Sequence, residues 1–266
     1  MSESILSEWR KILTTRLWWI LLLVMAGTIA TFAGFFAFAL VFGGEAATGG
    51  ATDLDTSTIA TTVYTMAVSL GYVFPVTFGA LLMTAEFRHR TIQTTLLTAP
   101  RRGRVIVSKL VAAVPMALVY GVAGIASGVA VGALAFAIAG EPLGFDEPGV
   151  VNSILLGVVA LATWMLVGVG VGSVLTNQVV AIVSLLAFTQ FVEPILRFAL
   201  GFVEPLAGVG AYLPGAAGEA IVGSSFYSAA GMTELLEPWA GFLVLLGYGI
   251  VAAAIGWRVT FRRDLT

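Results

Sequence analysis

The sequence predicts an all-α integral membrane protein with six transmembrane helices and both termini in the cytosol. Three observations lead to this fold class. Hydrophobic residues make up 59% of the 266 residues and charged residues only 11%, and the mean hydropathy is +1.00, outside the range of soluble globular domains. The charged residues occur in groups, and the uncharged segments between them are long enough to cross a bilayer as helices. The basic residues fall in alternate groups, as a membrane topology requires.

Residues 1–16 predict an amphipathic helix in the cytosolic membrane interface. Apolar side chains recur at helical spacing, and charged side chains occupy the rest of the helix surface. Trp9 would then lie at the level of the lipid headgroups. A frayed cytosolic tail is the alternative interpretation. The apolar positions are Ile5, Leu6, Trp9, Ile12 and Leu13.

Six spans follow from the gaps between charged residues. The gap from Glu147 to Glu193 is about twice the length that one helix needs, and we divide it at the polar segment from Ser173 to Gln178. Residues 201–237 are cut by glutamates, prolines and glycines into pieces too short to cross, so we expect short re-entrant or interfacial helices there, on the extracytoplasmic side. A seventh and an eighth span are the competing topology. The predicted spans, all in one transmembrane domain covering 1–266, are 17–42, 59–85, 105–139, 150–174, 179–200 and 238–258.

The distribution of basic residues sets the predicted orientation. With both termini inside, twelve of the thirteen Lys and Arg residues lie in cytosolic segments, and only Arg197 lies outside. Lysine and arginine accumulate in this way in cytosolic loops. A chain rich in Ala, Gly, Val and Arg, with two lysines, is typical of a high-GC, actinobacterial genome. We therefore expect a multi-pass protein of the bacterial cytoplasmic membrane.

The spans are expected to contain no charged side chain. Ion-coupled carriers use an ionisable group at mid-membrane depth, so this expectation argues against secondary active transport and against a charged channel filter. Gly124, Gly128 and Gly132 repeat at four-residue spacing in the third span, which lets helices approach closely. We interpret the repeat as packing within the chain, with a dimer interface as the alternative.

A polar stripe follows one face of the second span. Its spacing of three and four residues is helical, and Pro75 is expected to kink the helix beyond it. Hydroxyl groups in hydrocarbon can bond back to their own backbone carbonyls, and the functional alternative is the lining of a weakly polar passage. Gln190 in the fifth span is a further candidate for that lining. The stripe consists of Thr58, Thr62, Thr65, Ser69 and Tyr72.

Enzyme chemistry is not expected in this polypeptide. There is no cysteine and a single histidine, His89, so thiol chemistry and multi-histidine metal centres are excluded. Lys11 and Lys109 are the only lysines, and neither stands in the glycine-rich context of a P-loop. We predict no catalytic residue, no metal and no cofactor in this chain, and no nucleic-acid partner.

The loop at 86–104 stands out as a compact cationic segment between two spans. Together with Lys109 at the start of the third span it holds six of the thirteen basic residues. A short helix after the second span would end near Pro100, and its mixed surface suits docking to a protein. Attraction to anionic lipid alone would account for Arg101, Arg102 and Arg104, since each such residue contributes about 1 kcal/mol near an anionic surface.

This loop resembles the segment that follows the second helix in permeases of ABC-2-type exporters. The resemblance lies in Glu86-Phe87-Arg88-His89-Arg90-Thr91, the pair Leu96-Leu97, Pro100-Arg101-Arg102, and Lys109. It extends to the amphipathic amino terminus, the six spans, the broken helices before the last span and the element Tyr212-Leu213-Pro214. One departure is Arg90, where glycine is commoner in the family pattern.

The resemblance implies the permease subunit of an ATP-driven exporter for an amphipathic or lipidic compound such as a drug, antibiotic or peptide. Two such subunits, identical or sister chains, would form a twelve-helix dimer, and separate cytosolic P-loop ATPase subunits would supply ATP and Mg²⁺. The second and fifth spans would face the passage. A membrane scaffold or immunity protein that docks a soluble partner through the same loop is the alternative, and a channel or passive carrier is a third. The residues implied in ATPase coupling are Glu86, Arg88, Arg90, Thr91, Gln93, Thr94, Leu97, Pro100 and Arg101.

Overall fold

The computed structural model describes residues 2–42, 56–92, 103–224 and 235–260. Helices joined by turns make up these residues, with no β-strand among them. Six of the helices are long and apolar enough to cross a membrane. The predicted all-α class with six membrane-length helices is therefore confirmed.

The helices follow one another in a simple order. An amphipathic helix precedes the first span, and the described residues between the fifth and sixth spans form two short helices. The bounds are α1 Ser2–Thr14; first span, α2 Leu17–Phe42; second span, α3 Thr56–Tyr64, a π-helical turn Ala67–Gly71 and α4 Val73–Arg88; third span, α5 Gly103–Ala139; fourth span, α6 Val150–Val174; fifth span, α7 Gln178–Ala187, a π-helical turn Phe188–Val192 and α8 Glu193–Gly201; a 3₁₀ helix Glu204–Tyr212; α9 Pro214–Val222; and the sixth span, α10 Pro238–Val259.

Two of the spans are interrupted by π-helical turns, and a proline follows each turn. Pro75 lies just beyond the turn in the second span, and Pro194 just beyond the turn in the fifth. Proline has no N–H to donate and its ring clashes with the carbonyl four residues earlier. One extra residue in the preceding turn relieves that clash. The irregularity expected at Pro75 thus lies in the turn before it.

The fourth span is the centre of the bundle, and its glycines make close packing possible. A Cβ added at Gly168 would collide with the carbonyl oxygen of Val76 in the second span, and one at Gly170 would lie 2.5 Å from the carbonyl oxygen of Gly249 in the sixth. The repeat in the third span is also used within the chain, because Gly128 faces Tyr64 and Ile29. These contacts support the interpretation of the glycines as intrachain packing.

The spans alternate in direction, which defines two ends of the bundle. At one end Arg88 reaches Gln178 and Gly103 lies beside Trp257; at the other the hydroxyl of Tyr64 donates to the carbonyl of Leu143. We call the first the cationic end and the second the opposite end. Among the described residues, every Lys and Arg except Arg197 lies toward the cationic end.

The expectation of charge-free spans is wrong. Lys109 lies within the third membrane-length helix, and Glu193 and Arg197 lie within the fifth. The helices continue past these charges because each is paired inside the protein with a charge of opposite sign. A paired charge does not have to mark the point where a helix leaves the hydrocarbon.

Substitution of Gly168 by alanine is expected to destabilise the protein by about 1–3 kcal/mol, because the added methyl group collides with backbone of the second span. The measurement is the thermal unfolding midpoint in detergent. Gly27→Ala is the matched control, since nothing lies within 4 Å of a Cβ at that helical glycine. Equal midpoints for the two variants would contradict this account of the packing.

Candidate functional site

A four-charge cluster lies at the cationic end, made of Glu8, Lys11, Glu86 and Lys109. The Lys109 Nζ lies 2.6 Å from Glu8 Oε2 and 2.9 Å from Glu86 Oε1. The Lys11 Nζ lies 2.6 Å from Glu8 Oε1 and 2.9 Å from the same Glu86 Oε1. Lys109 also donates to the backbone carbonyl of Leu82 at 3.0 Å. Two lysines and two glutamates sum to zero charge, so the cluster is internally neutral.

Burial makes this cluster structurally important. The Lys109 side chain is 3% exposed and that of Glu86 6%, whereas Lys11 at the rim is 47% exposed. Breaking a buried pair leaves an uncompensated charge and costs roughly 3–5 kcal/mol. The cluster therefore ties α1 firmly to the second and third spans.

The ion pairs shift the pKa values of the two α1 members. Burial alone would raise the pKa of Glu8, but the charge of Lys109 and the hydrogen bonds from Lys109 and Lys11 outweigh burial and hold the pKa below its ordinary value of 4.5. Burial alone would lower the pKa of Lys11, but the hydrogen bonds to Glu8 and Glu86 and the charges of both carboxylates raise it above 10.5. Both residues are therefore charged at neutral pH.

The second span ends in a closed turn directly beside the cluster. The Thr91 N–H donates to the carbonyl of Glu86 at 3.0 Å and the Arg90 N–H to the carbonyl of Phe87 at 3.3 Å, the two bonds of a Schellman motif. Arg90 takes the left-handed conformation that this motif needs, with φ of 56°. Glycine is the residue that adopts this conformation without strain.

The coupling residues predicted from the loop fall into three groups. Glu86 is buried in the four-charge cluster, so a partner cannot reach its carboxylate in this conformation. Arg88, Arg90 and Thr91 are exposed on the turn, and Arg88 donates to Gln178 Oε1 at 3.2 Å. The remaining five lie outside the described residues: Gln93, Thr94, Leu97, Pro100 and Arg101.

The polar stripe of the second span divides in two. Thr65 is buried and its hydroxyl donates to the carbonyl of Thr61, as the backbone-bonding alternative predicts. The Thr62 hydroxyl lies 3.4 Å from that of Ser224, and Thr58 does not line the cavity described next. Ser69 and Tyr72, at and just after the π-helical turn, belong to that cavity.

A cavity of about 400 Å³ lies between the second and fifth spans. Its wall is mostly apolar, and we call it the polar cavity after the few polar groups placed in that wall. Ser69, Tyr72 and Gln190 line it, and the Gln190 side-chain amide donates to the Tyr72 hydroxyl at 2.8 Å. The Tyr72 hydroxyl in turn donates to the carbonyl of Thr189 in the π-helical turn of the fifth span. Three of the six predicted passage residues are thus together. The rest of the wall is Phe32, Phe35, Phe36, Met66, Leu70, Thr189, Pro194, Arg197, Gly215 and Glu219.

A buried acid–arginine triad adjoins this cavity. The Arg197 guanidinium contacts Glu193 Oε1 at 2.5 Å through Nη2 and Glu219 Oε2 at 2.7 Å through Nη1. The backbone N–H of Ala216, in the first turn of α9, donates to Glu193 Oε1 at 3.0 Å. Two carboxylates against one guanidinium leave a formal charge of −1, although all three side chains are at most 5% exposed.

The two buried clusters are the functional features that the sequence reasoning missed. Glu193 and Arg197 stand four residues apart, which is the spacing of an ion pair on one helix face. The sequence carries this signal, but a prediction that places span boundaries at charged residues does not use it. The partnerships of Glu8 with Lys109 and of Arg197 with Glu219 join residues distant in the sequence, and only the fold brings them together.

Six membrane-length helices packed around two internally paired charge clusters define an all-α, multi-pass membrane protein. No protein-family model matches the chain, and no curated protein sequence is significantly similar to it. The function must therefore be argued from the chain's own residues.

Acidification is expected to destabilise the protein through Glu8. Because its pKa is lowered on folding, the folded state binds fewer protons than the unfolded state between the two pKa values. Its contribution is complete above about pH 4.5 and is lost as pH falls through the lower, folded value. Glu8→Gln should lower the unfolding midpoint at pH 7 and make its decline below pH 5 shallower. Glu147→Gln, which removes an exposed carboxylate, controls for the loss of one charge; the same pH profile for both variants would contradict the prediction.

Arg90→Gly is expected to stabilise the folded chain by up to about 1 kcal/mol, because glycine removes the strain of a left-handed residue. Arg88→Gly, two positions earlier and still helical, should instead destabilise it by about as much. Thermal unfolding of both variants in detergent gives the comparison. A lower midpoint for Arg90→Gly would show that the turn is not closed in this way.

Proposed function

We propose that this chain is the permease subunit of an ATP-driven ABC exporter, moving an amphipathic compound across the bacterial cytoplasmic membrane. The observation that carries the proposal is the exposed turn of Arg88, Arg90 and Thr91, braced from beneath by the four-charge cluster. The cluster fixes the position of the turn relative to α1 and the third span. A docking element for a motor needs both exposure and a rigid mounting, because a flexible contact would absorb the motion instead of transmitting it.

In the proposed orientation of the protein in the membrane, the cationic end lies in the cytosol. Cytosolic segments of membrane proteins collect lysine and arginine, and the described cations other than Arg197 gather at that end. A cytosolic P-loop ATPase would then have access to the turn after the second span. The chain itself contributes no P-loop, so ATP and Mg²⁺ would bind in that partner, and a second permease copy or a sister subunit would complete the passage.

The polar cavity supports an amphipathic cargo. It lies between the second and fifth spans and combines aromatic side chains with the polar groups of Ser69, Tyr72 and Gln190. Drug-sized ligands are bound in mostly apolar cavities with a few placed polar groups. The short helix α9 is buried along its whole length against the fourth and sixth spans, which fits a re-entrant element closing the extracytoplasmic side of such a path.

A membrane scaffold or immunity protein that docks a soluble partner through the same turn is the second candidate function. The same exposed cations favour it, since a docking surface need not belong to a transporter. The two differ in the captured partner: the exporter requires a P-loop ATPase, whereas the scaffold does not. A channel or passive carrier would conduct without any ATPase.

Charge reversal at the turn tests the proposal. The chain, purified from its native membranes, should bring an ATP-hydrolysing subunit, and Arg88→Glu should reduce the amount captured by about tenfold or more, because a cation at the docking surface becomes an anion. Arg16→Glu is the matched control, an exposed arginine at the same end of the bundle but outside the turn. Quantitative mass spectrometry of the captured subunit and its ATPase rate give the readout.

Two results would contradict the exporter. Capture of a partner without ATPase activity would favour the scaffold. Equal losses in Arg88→Glu and Arg16→Glu would indicate attraction of the whole end to anionic lipid, not a specific docking turn.

A further inference from the structure

We propose that the polar cavity binds an amphipathic organic cation, held by the net negative charge of the Glu193–Arg197–Glu219 triad and by aromatic rings in the cavity wall. As the identity of an exported cargo this rests on the proposed function. As a binding site it stands on the geometry of this chain alone, and it can be tested without any partner.

The charge balance of the triad favours a cationic ligand. Glu193, Arg197 and Glu219 are 1%, 4% and 5% exposed as side chains, and together they carry a formal charge of −1. An excess charge in a buried, apolar setting is costly unless a counter-charge is near. Among the described residues, Arg197 is the only Lys or Arg at this end of the bundle.

The triad borders the cavity where a ligand would lie. Arg197, Glu219 and Gly215 form part of the cavity wall, and a Cβ added at Gly215 would collide with the Arg197 guanidinium. The absence of a side chain at Gly215 therefore lets the charged groups approach the start of α9. The carboxylates are fixed in place, because Arg197 holds both and the Ala216 N–H holds Glu193.

The aromatic part of the cavity wall suits the apolar body of such a ligand. Phe32, Phe35 and Phe36 of the first span and Tyr72 of the second belong to it, and the faces of aromatic rings attract organic cations. Tyr72 stacks on Trp164 with ring centroids 4.4 Å apart, so its ring is held rigidly. Phe35 is 69% exposed, which leaves this side of the cavity open to the hydrocarbon from which an amphipathic molecule would enter.

The size of the cavity sets the ligand class. A volume of about 400 Å³ is within the range that accommodates a drug-sized molecule and far exceeds the space needed for a metal ion. A second cavity of about 430 Å³, bordered by Val167, Val171 and Ile255, holds no charged side chain in its wall. It therefore presents no charged group to a cation, and it serves as an internal comparison.

Two ions of matched shape and opposite charge test the proposal directly. Tetraphenylphosphonium and tetraphenylborate are titrated separately into the purified wild-type chain in neutral detergent, and binding is followed by calorimetry. Tetraphenylphosphonium is expected to bind at least about tenfold more tightly, a difference of about 1.4 kcal/mol. Because its charge is permanent, it distinguishes a site for cations from a triad neutralised by a bound proton.

Variants then locate the site. Glu219→Gln brings the triad to neutrality and should weaken tetraphenylphosphonium binding by about tenfold or more, without weakening tetraphenylborate binding. Glu147→Gln, the same change at an exposed glutamate, should leave both affinities unchanged. Phe35→Ala removes an exposed part of the aromatic wall and should weaken tetraphenylphosphonium binding several-fold; this variant and the wild-type comparison keep the test decisive if Glu219→Gln does not fold.

Equal affinity of the wild-type chain for the two ions would overturn the proposal, and so would equal effects of Glu219→Gln and Glu147→Gln. The result of this binding experiment is independent of the result of the ATPase-capture experiment that tests the proposed function. Charge-selective binding without a captured ATPase would leave the site standing and remove the exporter, whereas a captured ATPase without such binding would do the reverse.

Discussion

Pairing of buried charges is the constraint on which this structure depends. A charged side chain inside an apolar helical bundle is tolerated only when a counter-charge and hydrogen bonds replace the water that it loses. The chain pairs buried charges at two places: completely in the cluster around Lys109 and Glu86 at one end, and with one carboxylate in excess in the triad around Arg197 at the other. Each cluster joins helices that are far apart in the sequence, so each also fixes how the helices pack.

The two clusters differ in their charge balance, and the difference corresponds to different roles. The cationic-end cluster is neutral, which suits a structural brace between α1 and two spans. The triad has an excess negative charge beside a cavity, and this charge would attract a cationic ligand. Loss of one glutamate charge would therefore have opposite consequences in the two clusters. It would leave the neutral four-charge cluster with an excess charge, whereas it would make the triad neutral.

Much of the fold follows from the sequence because the hydrophobic segments are long and the charges few. The break between the fourth and fifth spans lies inside the polar segment from Ser173 to Gln178, where Asn177 caps the fifth span by accepting from the N–H groups of Val179 and Val180.

The residues of the candidate site are harder to predict from the sequence than the spans. Thr65 and Ser69 look alike in the stripe, yet one bonds to its own helix and the other lines the cavity. A π-helical turn shifts the helix face by one residue between them, and an ideal helical wheel does not contain that shift. The triad is not predicted from the sequence when charged residues are taken to mark the ends of spans.

The second span connects the two candidate sites physically. Its α4 segment carries Glu86 and the exposed turn at the cationic end, and its π-helical turn carries Ser69 beside the cavity. Between them Gly79 lies so close to Met165 of the fourth span that an added Cβ would collide with that backbone, so α4 cannot tilt freely against its neighbour. A π-helical turn interrupts the regular i→i−4 hydrogen bonding of a helix, and such turns are frequent at kinks and at functional sites. If a bound partner displaced the exposed turn of Arg88, Arg90 and Thr91, α4 would therefore transmit the movement to the π-helical turn Ala67–Gly71, where the second span meets the cavity.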